Sequence, residues 1–112
     1  MTPVEAVVER KFVKIVEEQG GIALKMQVPG LRGLPDRLVL MPGGVHLFIE
    51  FKRQNTFLRT QQKLVVQKLR EMGHAVYVCR TVEEAWEAVE EECRKVQTKE
   101  ISEASGQILD PE

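Results

Sequence analysis

Only two cysteines, Cys79 and Cys93, occur in the 112 residues, and no CxxC spacing joins them. A disulfide framework and a cysteine-based zinc site are therefore both excluded, and the two thiols read as reduced, half-buried side chains of a cytosolic protein. The two histidines, His46 and His74, are equally scattered, which again speaks against zinc. No apolar run approaches the roughly 20 residues of a membrane span, so no membrane partner is expected. No charged-then-apolar leader with a small-residue cleavage site opens the chain. Aromatic residues make up 5% of the chain, and Phe57 has little aromatic company. Base stacking of a single strand is therefore not suggested.

What is present suits one globular domain. A hydrophobic fraction of 43% and a charged fraction of 29% are ordinary for a soluble fold of this length. The formal net charge of -1 conceals a split. Residues 1–80 carry 13 Lys and Arg against 7 Asp and Glu, a net of +6, whereas residues 81–112 carry 3 against 10, a net of -7. A basic body with an acidic end fits a protein that meets a polyanion with one face.

Thr2-Pro3-Val4-Glu5 is a helix start: Thr2 can cap, Pro3 suits the first helical position and Glu5 completes a capping box. Val4, Val8, Phe12, Ile15 and Val16 then recur at helical spacing up to Gly20-Gly21. Strands are expected over residues 22–28, 37–41 and 45–52. The loop Pro29-Gly30-Leu31-Arg32-Gly33-Leu34-Pro35 precedes the second strand, and the turn Pro42-Gly43-Gly44 lies between the second and third. A helix over about 60–72, a strand over 75–79 and a helix opened by Thr81-Val82-Glu83-Glu84 complete the order α-β-β-β-α-β-α. That order predicts an α/β fold, a mixed sheet flanked by helices. The ordered domain is expected over residues 1–96, followed by a polar, flexible tail over 97–112.

The third strand ends in Ile49-Glu50-Phe51-Lys52. Strand side chains alternate with period two, so Glu50 and Lys52 share a face. If the second and third strands form a hairpin, Asp36 at the start of one lies beside Glu50 at the end of the other. Two carboxylates at short range repel, and a cation relieves the repulsion. Oxygen ligands favour Mg²⁺ or Mn²⁺ over softer metals. Lys52 can neutralise a phosphate or orient a water there, although an exposed ion pair at a strand end is the plainer reading. Glu9 lies beside the apolar sector of the first helix, with Glu5 competing for the same role. Gln62 lies among Val65, Val66 and Leu69 on the inward stripe of the second helix, with Gln61 to its side. An inward amide needs a partner, supplied by a bound water, a phosphate or a backbone carbonyl.

Glu9, Gly33-Leu34-Pro35-Asp36, Glu50-Phe51-Lys52 and Gln62, in that order, resemble the virus-type replication-repair nuclease domain (VRR-NUC). This is a branch of the PD-(D/E)xK nuclease superfamily. The resemblance spans about residues 4–90 and takes in Gly20-Gly21, Lys25 and Gly73. It implies a restriction-endonuclease-like core and a Mg²⁺- or Mn²⁺-dependent DNA endonuclease of the short stand-alone type found in phages and bacteria. Such a protein would act in the cytoplasm of a bacterial or phage-infected cell. The resemblance further implies Asp36 and Glu50 as metal ligands with the Phe51 carbonyl as a third, and Glu9 as a further ligand. Lys52 would be the catalytic lysine and Gln62 an orienting residue. Short members resemble Holliday-junction resolvases, so a homodimer acting on branched or duplex DNA is expected. Lys25, Arg32, Arg53, Arg59 and Lys63 are the candidate phosphate contacts, and recognition directed by DNA structure is expected. Two other readings compete: a catalytically silent DNA-binding module, and a regulatory protein whose acidic last helix binds a basic partner.

Overall fold

A computed structural model describes residues 2–109 of the chain. Helix α1 (Pro3–Glu18) opens as its sequence dictates. The Thr2 hydroxyl accepts the Glu5 amide, the Glu5 carboxylate accepts the Thr2 amide, and Pro3 occupies the first turn. Phe12 and Val16 on its inner stripe are fully buried. Gly21 follows because the chain passes too close for a side chain: a Cβ there would lie 2.8 Å from the Leu40 carbonyl oxygen and 2.9 Å from Val16 Cγ1.

Four strands follow in one sheet of order β1-β2-β3-β4: β1 (Ile22–Lys25), β2 (Arg37–Met41), β3 (Val45–Phe51) and β4 (Val76–Cys79). β1, β2 and β3 are antiparallel neighbours, and β4 joins β3 in parallel through α2 (Thr60–Glu71). α3 (Val82–Leu109) closes the domain. The result is a mixed α/β fold in the expected order α-β-β-β-α-β-α.

α1 and α3 pack together on one face of the sheet. They cover Val39, Val45, Leu47, Ile49 and Phe51, with Ala85, Ala88 and Val89 facing them from α3. Trp86 is partly buried against this core. The opposite face is covered by α2, which packs mainly over β4. β3 is therefore only partly sheltered on that side: His46 is exposed and Phe48 half-buried. On the same open face Ile22 and Leu24 of β1 lie opposite Leu40 and Leu38 of β2. Ile22, Leu24 and Leu40 are all exposed.

Two boundaries differ from the sequence expectation by more than one residue. β1 stops at Lys25 rather than at residue 28, because its only neighbour begins at Arg37. The last ladder contact is the Met26 amide donating to the Asp36 carbonyl at 3.0 Å, and residues 27 and 28 have no strand to pair with. The second difference is at the other end. α3 continues as helix past residue 97, through the stretch read as a tail, to Leu109. Residues 97–104 bury nothing, yet they are mostly good helix formers continuing an established helix, and propagation costs far less than nucleation. Residues 110–112 of the expected tail lie outside the described residues.

Candidate active site

The hairpin register sets the site. Arg37 pairs with Ile49, so Asp36 stands beside Glu50 where β2 begins and β3 ends. Glu50 Oε1 accepts the Asp36 amide at 3.1 Å, and Asp36 Oδ2 accepts the Phe51 amide at 2.8 Å. Glu50 is buried and Asp36 half-buried. Burial, then the charge of Asp36, pushes the Glu50 carboxyl up to about 8. Burial raises Asp36 as well, with the charge of Glu9 adding to it and the Phe51 amide opposing it. Two acids in this setting favour sharing a proton unless a cation compensates them.

Lys52 follows directly. Its amide donates to the Cys79 carbonyl at 3.0 Å, extending the β3–β4 pairing by one residue. Its Nζ lies 3.7 Å from Glu50 Oε2, in a mostly buried setting. The same Glu50 oxygen accepts Nε2 of Gln62 at 3.0 Å, while Gln62 Oε1 accepts the Arg59 amide at 2.9 Å. The inward amide of α2 thus finds a carboxylate as its partner. It also caps its own helix, where the Arg59 side chain offers no capping hydrogen bond to the backbone. Gln61 is exposed, and its contribution is backbone. Gly33, at φ +82°, passes so close to α2 that a Cβ there would stand 2.8 Å from the Gln61 carbonyl oxygen. That contact seats the Gly33-Leu34-Pro35-Asp36 loop against the start of α2.

These groups line a cleft of about 470 Å³ together with Thr2, Glu5, Arg53, Thr56, Phe57 and Arg59. From α1 the acid on the cleft wall is Glu5. Its carboxylate holds the Thr2 amide at 2.9 Å and the Arg53 amide at 3.2 Å, joining the start of α1 to the exit of β3. Burial opposes its ionisation, but those two amides and the charge of Lys52 outweigh it and lower its pKa. Glu9, one turn on, is 3% exposed and does not line the cleft. Its Oε2 accepts Nε of Arg37 at 2.6 Å, and Arg37 also donates to the Ala23 carbonyl at 2.9 Å.

Among the basic candidates, Arg53 and Arg59 line the cleft and are exposed. Lys25, Arg32 and Lys63 are exposed but outside it. Two residues escaped the sequence reading. Arg80 donates to the Thr56 carbonyl at 2.7 Å, fastening the loop between β3 and α2; nothing local in the sequence signals that contact. Thr2, read only as a helix cap, also lines the cleft.

The side chains that stand close enough to hold a cation together are Asp36 and Glu50. Among the described residues no group of three or more His, Cys, Asp or Glu side chains is gathered to hold a metal ion. A two-carboxylate oxygen site fits a hard cation such as Mg²⁺, which ordinarily keeps water and phosphate oxygens in the rest of its shell.

No family model matches the chain. A protein of Acyrthosiphon pisum secondary endosymbiont phage 1 named "Putative nuclease p44" is 39% identical over 71 residues, which is 63% of this chain and 76% of that protein. A solved structure described as "VRR_NUC domain" superposes with a TM-score of 0.72 at 29% identity, covering 80% of this chain and 97% of that one. A relative matched over three quarters of its length and a domain superposed over nearly all of its own lead to the same assignment: this chain belongs to the VRR-NUC family of nucleases.

Proposed function

We propose that this nuclease is a Mg²⁺- or Mn²⁺-dependent DNA endonuclease that selects its substrate by DNA structure, in the manner of a Holliday-junction resolvase, and works as a homodimer. The observation that carries the reading is the convergence of Asp36, Glu50 and Lys52 in one cleft with Arg53 and Arg59 on its wall. Asp36 and Glu50 are the side chains to hold the ion, with the Phe51 carbonyl beside them. Glu9 acts there only through a rearrangement that frees it from Arg37.

A divalent ion bound here would polarise the scissile phosphate and make water a better nucleophile. The rest falls to the chain itself. Gln62, anchored on the Arg59 amide, fixes the orientation of the Glu50 carboxylate. Lys52 stands close enough to Glu50 for its ammonium to meet a phosphate oxygen bound at the pair, where it offsets charge developing in the transition state or orients the attacking water. The water oxygen bonds to phosphorus and gives up a proton, one bridging P–O bond breaks, and the leaving oxygen takes up a proton. Arg53 and Arg59 hold flanking phosphates without reading bases.

Two features support assembly and setting. The open sheet face presents Ile22, Leu24 and Leu40 as cross-strand neighbours. Covering them with a second copy would remove apolar surface from water and relate two clefts by a two-fold axis. Among the described residues no helix is long and apolar enough to cross a membrane. The phage origin of the relative supports action in the cytoplasm of a bacterial or phage-infected cell.

The test is cleavage of a labelled four-way junction, a flap, plain duplex and single strands, with Mg²⁺, Mn²⁺ or EDTA, by wild type and Lys52→Ala. Incision that needs the ion and falls roughly 10²- to 10³-fold in the variant is the expected result. Binding without incision on every substrate would leave a silent DNA-binding module.

A further inference from the structure

Phe57 has the largest exposed fraction, 76%, of any large hydrophobic residue among those described, and it lines the same cleft as Asp36, Glu50 and Lys52. A lone exposed phenylalanine needs no explanation on an ordinary surface. Here the segment bearing it is fastened just before the ring. The Arg53 carbonyl accepts both the Thr56 hydroxyl, at 2.6 Å, and the Thr56 amide, at 3.3 Å. Asn55 turns the chain through a left-handed conformation at φ 60°. The Thr56 carbonyl accepts Nη2 of Arg80 at 2.7 Å, and the Arg80 amide is itself tied to Glu84 at 3.1 Å. Thr56 and Leu58 are half-buried. The chain therefore anchors Thr56 before the ring, half-buries Leu58 after it, and leaves the ring in water on the cleft that Arg53 and Arg59 also line.

We infer that Phe57 is a stacking subsite for a nucleobase that is unpaired or free of its neighbours, beside the phosphate bound at Asp36 and Glu50. The inference rests on the nuclease reading and deepens it by naming what the enzyme recognises. An aromatic face stacks on any base and contributes the same order of free energy whatever the sequence. A base inside continuous duplex already has both faces covered, so stacking on it requires prior unstacking at a cost of a few kcal/mol. At a branch point, flap or frayed end that cost is largely absent. One ring in a cleft, as opposed to a row of rings, reads a single exposed base next to the cut and does not follow a strand. Structure-directed choice then has a specific source in this chain, while Arg53 and Arg59 supply affinity that every DNA shares.

The experiment uses the full chain as wild type, Phe57→Ala and Phe57→Trp, with circular dichroism to confirm that all three are folded. Cleavage of a flap and of a four-way junction is compared with cleavage of intact duplex. In parallel, a flap carrying 2-aminopurine next to the branch is titrated with each protein in Ca²⁺. The expected result is that Phe57→Ala lowers kcat/KM on the branched substrates roughly 5- to 150-fold more than on duplex, the range that base–aromatic stacking spans, and that Phe57→Trp restores it. Wild type and Phe57→Trp, but not Phe57→Ala, should quench the 2-aminopurine. Equal losses on all substrates, or quenching that survives Phe57→Ala, would overturn the subsite. If wild type cuts nothing, the nuclease reading fails by itself, and the quenching comparison still decides for or against the stacking subsite.

Discussion

Asp36 and Glu50 hold each other's strands. Glu50 Oε1 accepts the amide of Asp36 at 3.1 Å, and Asp36 Oδ2 accepts the amide of Phe51, the residue after Glu50, at 2.8 Å. The two acids of the candidate site are thereby part of the local structure as well as of its chemistry. Substitutions here should accordingly be judged by a stability readout alongside cleavage.

Burial and the neighbouring Asp36 push the Glu50 carboxyl up to about 8 in the folded chain, from the ordinary 4.5 of the unfolded one. Below pH 4.5 both states hold the proton. Between 4.5 and 8 the unfolded chain loses it first, so the stability of the metal-free protein should fall as pH rises through that window. Glu5 and Glu92, whose pKa values are lowered, act below 4.5, while Asp36, raised by its own burial, acts in the same sense as Glu50. Thermal melts in EDTA from pH 5 to 8.5 should show the decline and Glu50→Gln should flatten it. Added Mg²⁺ should raise the wild-type Tm more at pH 8.5 than at pH 5. A pH-independent wild-type Tm would contradict the placement of the acid pair.

Gln62 restrains Glu50 through one hydrogen bond and caps α2 through another. Gln62→Ala should reduce cleavage about 10- to 100-fold, the usual cost of losing a residue that orients a metal-binding side chain. The Mg²⁺ concentration for half-maximal rate should increase. Gln61→Ala, on an exposed side chain, should change both by less than about twofold.

Gly33 is left-handed and in close contact with the start of α2. Gly33→Ala meets both problems at once, a disfavoured φ and a clash with the Gln61 carbonyl. Chemical denaturation should report a loss of about 2 kcal/mol or more. Gly30 is also at positive φ, but a Cβ added there would meet nothing within 4 Å. The same change at Gly30 should cost only about 1 kcal/mol.

Arg53→Ala and Arg59→Ala should each weaken DNA binding to a similar degree on all sequences and reduce the slope of log affinity against log salt by about one. Fluorescence anisotropy at several NaCl concentrations would measure it. An unchanged slope would remove these arginines from the phosphate contacts.

Leu24→Glu places a charge on the open sheet face opposite Leu38 and next to Ile22 and Leu40. If that face joins two copies, sedimentation should show a dimer for wild type and a monomer for Leu24→Glu, with paired incision of a four-way junction lost and nicking retained. A wild-type monomer at micromolar concentration would contradict the dimer.

Much of this protein is written locally in its sequence. Thr2, Pro3 and Glu5 start α1 because a capping box needs only residues within one turn. Asp36 meets Glu50 because a short hairpin with a glycine turn has a narrow choice of register, and period-two alternation then sets which faces agree. Gln62 turns inward because helical phase puts it on the stripe of Val66. Other features depend on groups far apart in the chain. The family resemblance implies Glu9, with Glu5 competing from the same helix, yet Arg37 holds Glu9 and Glu5 reaches the cleft through the Arg53 amide. Whether a carboxylate faces a cleft or an arginine is settled by which partner the completed packing brings within reach. The same holds for Arg80 fastening Thr56 across 24 residues, and for Phe57 remaining in water while the residue before it is held. Spacing and alternation are properties of one segment and can be read from it, whereas competition among partners for a buried or half-buried polar group exists only once the sheet and helices have come together.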